Sequence, residues 1–426
     1  MSDELLVNLH DCHTPKIIKV IGVGGGGGNA VAHMYRENVP DVRFLVTNTD
    51  RKALESNLVP DQLQMGPGLG AGGNPVKGRE LAEHSIEAIR NLLDSSTHMV
   101  FVTAGMGGGT GTGAAPVIAR EARAKGILTV GVVTLPFLFE RERQIDKALN
   151  GLEQIAAEVD AILVINNQRL LDIYPTQSVL EAFRLADQTL TRAVRSITEI
   201  ITMHGTWNLD FEDVRTVLEN GGVSLISTGY GDGPNRMTSA IHDALYSPLL
   251  NNNDLFLADR LIMHIAFSND KEHALRTEEL NEINAFMNHF DEDIFTKWGI
   301  STDDTLGSQV KVTILASGCG LYARKERAHQ SRKELKNIDA EQAQRYEERR
   351  SRFYATQGRP QHRRPRVHIF STADLCNEQL VQLVDDMPTY RRTAEQLSHI
   401  AQQASAAQQA GHDMHELTSS NTIVFQ

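Results

Sequence analysis

Nine residues restrict this chain more than any others: Gly105-Met106-Gly107-Gly108-Gly109-Thr110-Gly111-Thr112-Gly113. The apolar run Met99–Ala104 before them has the length and β-branched content of a buried strand. After them Ala114–Ala124 reads as a helix, with Pro116 tolerated in its first turn. Glycines at such a junction let successive backbone N–H groups converge on one anion, and the helix N-terminus adds about half a positive charge. Thr110 and Thr112 bring hydroxyls that can donate to the same phosphate oxygens. A flexible linker has a similar composition, but linkers are not pinned between a buried strand and a helix. The stretch reads as a phosphate-binding loop.

The same arrangement occurs once before. Ile17–Val23 reads as a buried parallel strand running into Gly24–Gly28 and Asn29, and Ala30–Arg36 reads as the helix that follows. Gly22-x-Gly24-x-x-Gly27 also satisfies the dinucleotide fingerprint, and Asn48-Thr49-Asp50 after the strand Val42–Thr47 offers an acid for a ribose. An NAD-dependent oxidoreductase is therefore an alternative. It leaves the loop at 105–113 without a use, and a run of five glycines makes the fingerprint nearly unavoidable. No GxxxxGK[ST] sequence is present, which excludes a P-loop protein. A third glycine cluster, Gly66–Pro75, precedes a helix over Gly78–Leu93 and reads as a lid over a terminal phosphate.

Further on, Ile127–Leu135 reads as a strand, Leu138–Glu140 as a loop, Gln144–Val159 as a helix, Ala161–Ile165 as a strand and Asn166–Leu171 as a strand-end loop. Such alternation builds an α/β fold with a mostly parallel sheet, whose ligands bind beyond the carboxyl ends of the strands. Ser178-x-x-Glu181 then forms a capping box before a long helix over Val179–Met203. Phe183, Ala186, Leu190, Val194, Ile197 and Ile201 give it an apolar stripe. Asp187 lies four residues from Phe183 on the same side, where a carboxylate is costly unless satisfied. One reading is an acid at the stripe's edge that still reaches water. The other is a base site, with Phe183 on a purine face and Asp187 accepting from N1–H and the 2-amino group, a donor pair that guanine has and adenine lacks. After the helix, Asn208, Asp210 and Asp213 cluster; Asp210 is a helix N-cap and Asp213 lies in the first turn, which leaves Asn208 without an explanation.

At 426 residues the chain has room for two full domains and a tail, and a formal net charge of −12 argues against general affinity for nucleic acid. Cys12, Cys319 and Cys376 are few and far apart, as expected in a reducing cytoplasm, and no spacing resembles a zinc site. No positively charged, apolar leader opens the chain, and the apolar stretch Ile127–Phe139 is too short and too broken to span a bilayer. Residues 324–366 hold 14 Lys or Arg against 6 Asp or Glu, so this segment is +8 and the remainder −20. With few apolar residues it reads as a disordered basic linker.

Together these pieces resemble the bacterial tubulin-like cell-division GTPases, the FtsZ family, over about residues 16 to 318. The likeness is carried by IKVIGVGGGGGNAV, NTD at Asn48–Asp50, GLGAGGNP at Gly68–Pro75 and GMGGGTGTGAAP at Gly105–Pro116. LPFLFE at Leu135–Glu140, AFRLAD at Ala182–Asp187, NLDFEDVRTVL at Asn208–Leu218, Tyr246–Leu250 and VKVTILASG at Val310–Gly318 extend it. The resemblance implies a tubulin-like fold: a mostly parallel Rossmann-type sheet joined by a long central helix to a smaller α+β domain. It implies a flexible leader (1–15), a GTP-binding domain (16–178), the central helix (179–203), a second domain carrying the catalytic loop (204–320), the basic linker (321–376) and a partner-binding tail (377–426).

It further implies that Gly25, Gly26, Gly27, Gly28, Asn29, Gly72, Gly73, Gly107, Gly108, Gly109, Thr110, Gly111 and Thr112 hold GTP or GDP with Mg²⁺. Glu140 would meet the ribose, Arg143 and Asn167 would join the site, with Arg143 or Arg141 covering for a missing arginine contact, and Phe183 with Asp187 would take the guanine. Asn208, Asp210 and Asp213 would reach the γ-phosphate of a neighbouring subunit, so that hydrolysis needs head-to-tail filaments. The expected partners are further copies of the chain and, through a tail motif around Met387–Arg392, membrane-tethering and division proteins at the mid-cell ring in the cytoplasm. Plasmid positioning or cell shape is an alternative purpose for such a filament, and a scaffold that hardly hydrolyses GTP another. The chain departs from the family's usual pattern at three places: Arg141 replaces a glycine after the ribose glutamate, Gln144 replaces an arginine, and Trp207 replaces a smaller aliphatic residue.

Overall fold

The computed structural model describes residues 16–203, 205–245, 255–270, 273–290 and 294–319. They all belong to the first of two compact units, Met1–Tyr354 and Ala355–Gln426. The leader, Cys12, Tyr246–Leu250, the basic linker, Cys376 and the tail motif around Met387–Arg392 lie outside the described residues.

In chain order the first part runs β1 (Ile18–Val23), α1 (Gly24–Arg36), β2 (Val42–Asn48), α2 (Arg51–Glu55), β3 (Gln62–Gln64), α3 (Pro75–His84) and α4 (Ile86–Leu92). It continues with β4 (Met99–Gly105), α5 (Thr110–Ala124), β5 (Leu128–Leu135), α6 (Glu142–Glu158), β6 (Ala161–Asn166) and α7 (Asn167–Ile173). The strands lie in the order β3-β2-β1-β4-β5-β6 and all pair in parallel. Their near-continuous apolar runs are buried, as strands covered by helices on both faces must be.

The long helix α8 (Val179–Thr202) comes next, followed by β7 (Gly205–Trp207), α9 (Phe211–Leu218), β8 (Gly222–Val223), β9 (Leu225–Gly231) and α10 (Arg236–Leu245). Then come β10 (Arg260–Phe267), α11 (Glu279–Met287), β11 (Phe295–Thr302) and β12 (Val310–Ser317). A second, mixed sheet has the order β7-β11-β10-β12-β9, while β8 returns to pair in parallel with β6 at the edge of the first sheet. One apolar core runs from Ile18, Val20 and Phe101 in the first sheet through Leu190, Val194 and Ile197 of α8 to Ile226, Ile262 and Leu315 in the second. Polar ties fix α8 on both sides: His33 Nδ1 and Thr191 Oγ1 lie 2.9 Å apart, and Lys311 pairs with Glu199. Arg236 forms a buried bidentate pair with Glu279, with contacts of 2.6 and 3.1 Å, that holds α10 against α11.

This is the tubulin-like α/β fold, with four local differences from the sequence reading. The glycine run after β1 is itself the first turn of α1, not a turn ahead of a helix at Ala30. Helix α5 begins at Thr110 and not Ala114, so Pro116 falls beyond its first turn and the Thr112 carbonyl loses its i+4 donor. Burial along almost the whole of α5 keeps the helix intact there. Ser85, at φ −98° and ψ 15°, divides 78–93 into two helices. Asn167–Leu171 is helical because the Asn166 side chain, at the end of β6, caps α7 by accepting from the Gln168 N–H.

Candidate active site

Because β1 to β6 are parallel, their carboxyl ends share one edge, and three glycine loops meet there. An added Cβ would lie 3.2 Å from the Gly105 Cα at Gly26, 2.7 Å from the Gly111 nitrogen at Gly24, and 2.8 Å from the Asn74 nitrogen at Gly109. Thr49, just beyond β2, meets Thr110 of the loop at 105–113, with hydroxyl oxygens 2.6 Å apart. The Gly107 N–H donates to Thr112 Oγ1 at 2.9 Å. Thr112 is buried, so it shapes the loop at 105–113 from within.

The glycines divide by what surrounds them. Gly27 is buried, and a Cβ on it would lie 2.1 Å from the Thr103 carbonyl oxygen; Gly28 is buried too. Gly25, Gly72, Gly73 and Gly108 face open space, with nothing within 4 Å of a Cβ. Gly25, Gly26 and Asn29 form the exposed face of the first turns of α1. Neither α1 nor α5 has a side-chain cap, whereas Asp50, Asn74, Asn166, Ser178 and Asp210 cap α2, α3, α7, α8 and α9. The first N–H groups of α1 and α5 are therefore left for an anion at the place where both helix dipoles converge.

Side chains suited to a nucleoside lie along the same edge. Glu140, in the 3₁₀ turn Leu138–Glu140, accepts from the Phe137 N–H at 3.0 Å. Phe137 stacks on Phe139 and meets Phe183 edge to face at 5.0 Å, leaving the Phe183 ring 44% exposed. One turn along α8, burial pushes the Asp187 carboxyl up to about 7, opposed by the charge of Arg36. Asn167 follows β6; it is buried, and its carboxamide oxygen has no hydrogen-bond partner. An acceptor without a partner, a carboxyl and an exposed aromatic ring are the group types that could take the donors and the face of a purine.

At the α6 N-terminus stand two of the residues that depart from the family's usual pattern, with Arg143 between them. Arg141 is its N-cap at φ 71° and ψ 159°, a region that is almost exclusively glycine's, and Arg143 is exposed. Gln144 packs on Gly107, with its Cγ 3.1 Å from a Cβ there, and Lys147 one turn on donates to the Gly73 carbonyl at 2.9 Å. Lys147 was not legible as a site residue, although its i+3 spacing from Gln144 puts both on one helix face.

The remaining candidates, Asn208, Asp210 and Asp213, are not brought to these loops. Phe211 meets His98 edge to face at 6.1 Å, just ahead of β4, so their loop lies at the amino-terminal edge of the first sheet. There Asp210 and Asp213 cap each other: the Asp213 N–H donates to Asp210 Oδ1 at 2.9 Å and the Asp210 N–H to Asp213 Oδ2 at 3.1 Å. Asn208 accepts from the Gly205 N–H at 2.7 Å. Burial alone would raise the Asp213 carboxyl, but Lys297 and the Asp210 N–H bring it below the usual carboxylate range.

A nucleotide site on a parallel sheet, crossed by one helix to a second sheet, defines a tubulin-like GTPase. The Tubulin/FtsZ family GTPase domain matches residues 17–175, the FtsZ family C-terminal domain residues 222–320, and a further FtsZ C-terminal segment residues 362–407. The cell division protein FtsZ of Porphyromonas gingivalis is 47% identical over 94% of this chain and 91% of its own length. That of Azotobacter vinelandii is 42% identical over 72% and 79%. An FtsZ dimer from M. jannaschii superposes with a TM-score of 0.64 at 36% identity, covering 71% of this chain and 88% of its own. The chain belongs to the FtsZ family, the tubulin-like GTPases of cell division. The oxidoreductase alternative falls with that finding.

Two substitution tests follow from the loop geometry. Gly25→Ala is expected to fold normally and to bind GTP at least tenfold more weakly, whereas Gly27→Ala, which forces a methyl into the Thr103 carbonyl, loses its cooperative thermal transition. Circular dichroism melts and nucleotide titration separate the two. Arg141→Gly relieves backbone strain of about 1–3 kcal/mol against a loss of about 0.5–1 kcal/mol in unfolded-chain entropy. A thermal midpoint a few degrees higher is expected, and an unchanged or lower midpoint would count against the strain.

Proposed function

We propose that this chain hydrolyses GTP at a site shared by two subunits stacked head to tail in filaments at the division site. In this reading residues 16–178 form the nucleotide domain, 179–203 the connecting helix and 204–320 the domain that carries the catalytic loop. Gly25–Asn29, Gly72, Gly73 and Gly107–Thr112 cradle the phosphates, with Thr112 acting on loop shape, Gly27 and Gly28 setting the backbone, and Glu140 with Arg143 serving the ribose. Phe183 stacks on the base while Asp187 and Asn167 accept its donors. Asn208, Asp210 and Asp213 of the next subunit orient and polarise the attacking water.

One observation carries the reading: the acids and the glycine loops lie at opposite edges of the same sheet. β4 alone separates them by roughly 20 Å at about 3.3 Å per residue. Asp210 and Asp213 therefore have no route to their own nucleotide, and a second copy has to supply them. A contact between unlike ends is heterologous, so it generates filaments and not closed dimers. A Mg²⁺ on the β- and γ-phosphates would supply charge neutralisation. Among the described residues no group of three or more His, Cys, Asp or Glu could hold a metal. Residues around Met387–Arg392 are assigned to membrane-tethering and division partners on the strength of their acid, proline, aromatic and basic order.

GTP turnover per subunit, measured against protein concentration with Mg²⁺, tests the shared site. It should be near zero below a threshold and rise steeply above it; specific activity that stays flat on dilution would overturn the mechanism. A second test concerns the base. Guanine's donors need Asp187 as carboxylate, yet in the free protein this carboxyl titrates at about 7. Binding therefore expels a proton below that pH. GTP affinity should be level above about pH 8 and fall towards tenfold per unit below about 6.5. Titration calorimetry in buffers of different ionisation enthalpy would register the proton, and affinity independent of pH from 5.5 to 8 would remove Asp187 from the base contact.

A further inference from the structure

Lys297 is a basic side chain of β11 bound to the acid loop. Its ammonium lies 2.8 Å from Asp213 Oδ1 and is itself 43% exposed, while the Asp213 side chain is 19% exposed. Asp213 Oδ2 is taken by the Asp210 N–H, and Asp210 Oδ1 by the Asp213 N–H. Both Asp213 oxygens are thereby occupied, and Asp210 Oδ2 is the carboxylate oxygen that this capping pair leaves unused. Arg215, on the same helix as Asp213, has its guanidinium 5.1 Å over the Phe211 ring and 3.7 Å from Glu212.

The strand that supplies Lys297 also fixes the entry to the loop. In the second sheet β11 pairs antiparallel with β7, Ile300 opposite Trp207 and Ser301 opposite Gly205, with a register shift between them. β11 thus grips the segment from both ends, by ladder bonds before Asn208 and by a charge after Asp210. Asp210, Glu212 and Asp213 place three negative charges on the surface that must approach a triphosphate. Unlike an exposed surface pair elsewhere, this lysine offsets a specific repulsion, that between the acid loop and the incoming phosphates.

We propose that Lys297 is a positioning residue of the shared GTPase site, one that holds Asp213 in place and offsets the loop's charge so that Asp210 can be brought against the neighbouring subunit's γ-phosphate. The inference rests on the shared-site reading above. Its consequence is that the lysine acts on assembly and turnover and not on nucleotide capture, because nucleotide is held at the other edge of the sheet.

The test uses the full-length chain with GTP and Mg²⁺, comparing wild type, Lys297→Met and Lys297→Arg. Three quantities are read: GTP affinity of the dilute subunit, the sedimentation threshold, and turnover per sedimented subunit. Lys297→Met should bind GTP as wild type does, assemble at a higher threshold and turn over about tenfold more slowly once assembled. Lys297→Arg, which keeps the charge, should recover most of both losses. Wild-type turnover in assembled Lys297→Met would overturn the proposal while leaving the shared site standing. So would a parallel fall in GTP affinity, or an arginine variant no better than methionine, since each points to a general structural role. A wild-type protein whose specific activity is flat on dilution would instead remove the shared site itself and this inference with it.

Discussion

Two helix N-termini, each without a side-chain cap, are pressed against one another at the carboxyl edge of the first sheet, and most of the surrounding structure serves to make that possible. Their first N–H groups take no side-chain cap and their dipoles converge, an arrangement that favours an anion at this edge. Bringing α1 this close to α5 demands backbone against backbone, which a side chain at Gly24 would prevent, while side chains at Gly27 and Gly111 would collide with the carbonyls of Thr103 and Gly105 in β4. Thr49, Thr110 and Thr112 then lock the loops by hydrogen bonds that leave the open glycine faces untouched.

The second constraint is distance. Helix α8, about 36 Å long at 1.5 Å per residue, carries Phe183 and Asp187 near one end and feeds the acid loop at the other. It is tied to the first sheet's helix by His33 and Thr191 and to the second sheet by Glu199 and Lys311, and its apolar stripe belongs to a core common to both sheets. Such a strut does not bend to bring its own ends together. Separation of the acid loop from the glycine loops is therefore a property of the folded core and not of a flexible linker.

The strand and helix alternation was legible because buried parallel strands are written as apolar β-branched runs, and Asp187 stood out because a carboxylate on an apolar stripe needs a reason. The local errors share a cause. Glycine has low helix propensity, so Gly24–Gly28 and the segment from Thr110 to Gly113 read as loops, yet burial against β4 and α3 overrides propensity and both are helical. Likewise Asn166 reads as a loop residue, but it acts as a cap that starts a helix. Lys147 and Lys297 left no mark because each gains its meaning from a long-range partner, Gly73 for one and Asp213 for the other. No periodicity records such pairings.

What assembly adds to the chemistry can be narrowed by what the lone subunit already contains. The Asp210 and Asp213 carboxylates are bound to each other's backbone N–H groups, Asp213 is also fixed by Lys297, and β7 is laddered to β11. The acid loop is thus ordered before any neighbour arrives, and its orientation need not be induced by contact. At the other edge the glycine loops are fixed as firmly by close backbone packing. On the shared-site reading proposed above, both halves are preorganised and the step left to assembly is proximity, the conversion of two separate surfaces into one site with little further rearrangement. Turnover then reports filament contact directly, because contact is the one element of the site that folding alone does not provide.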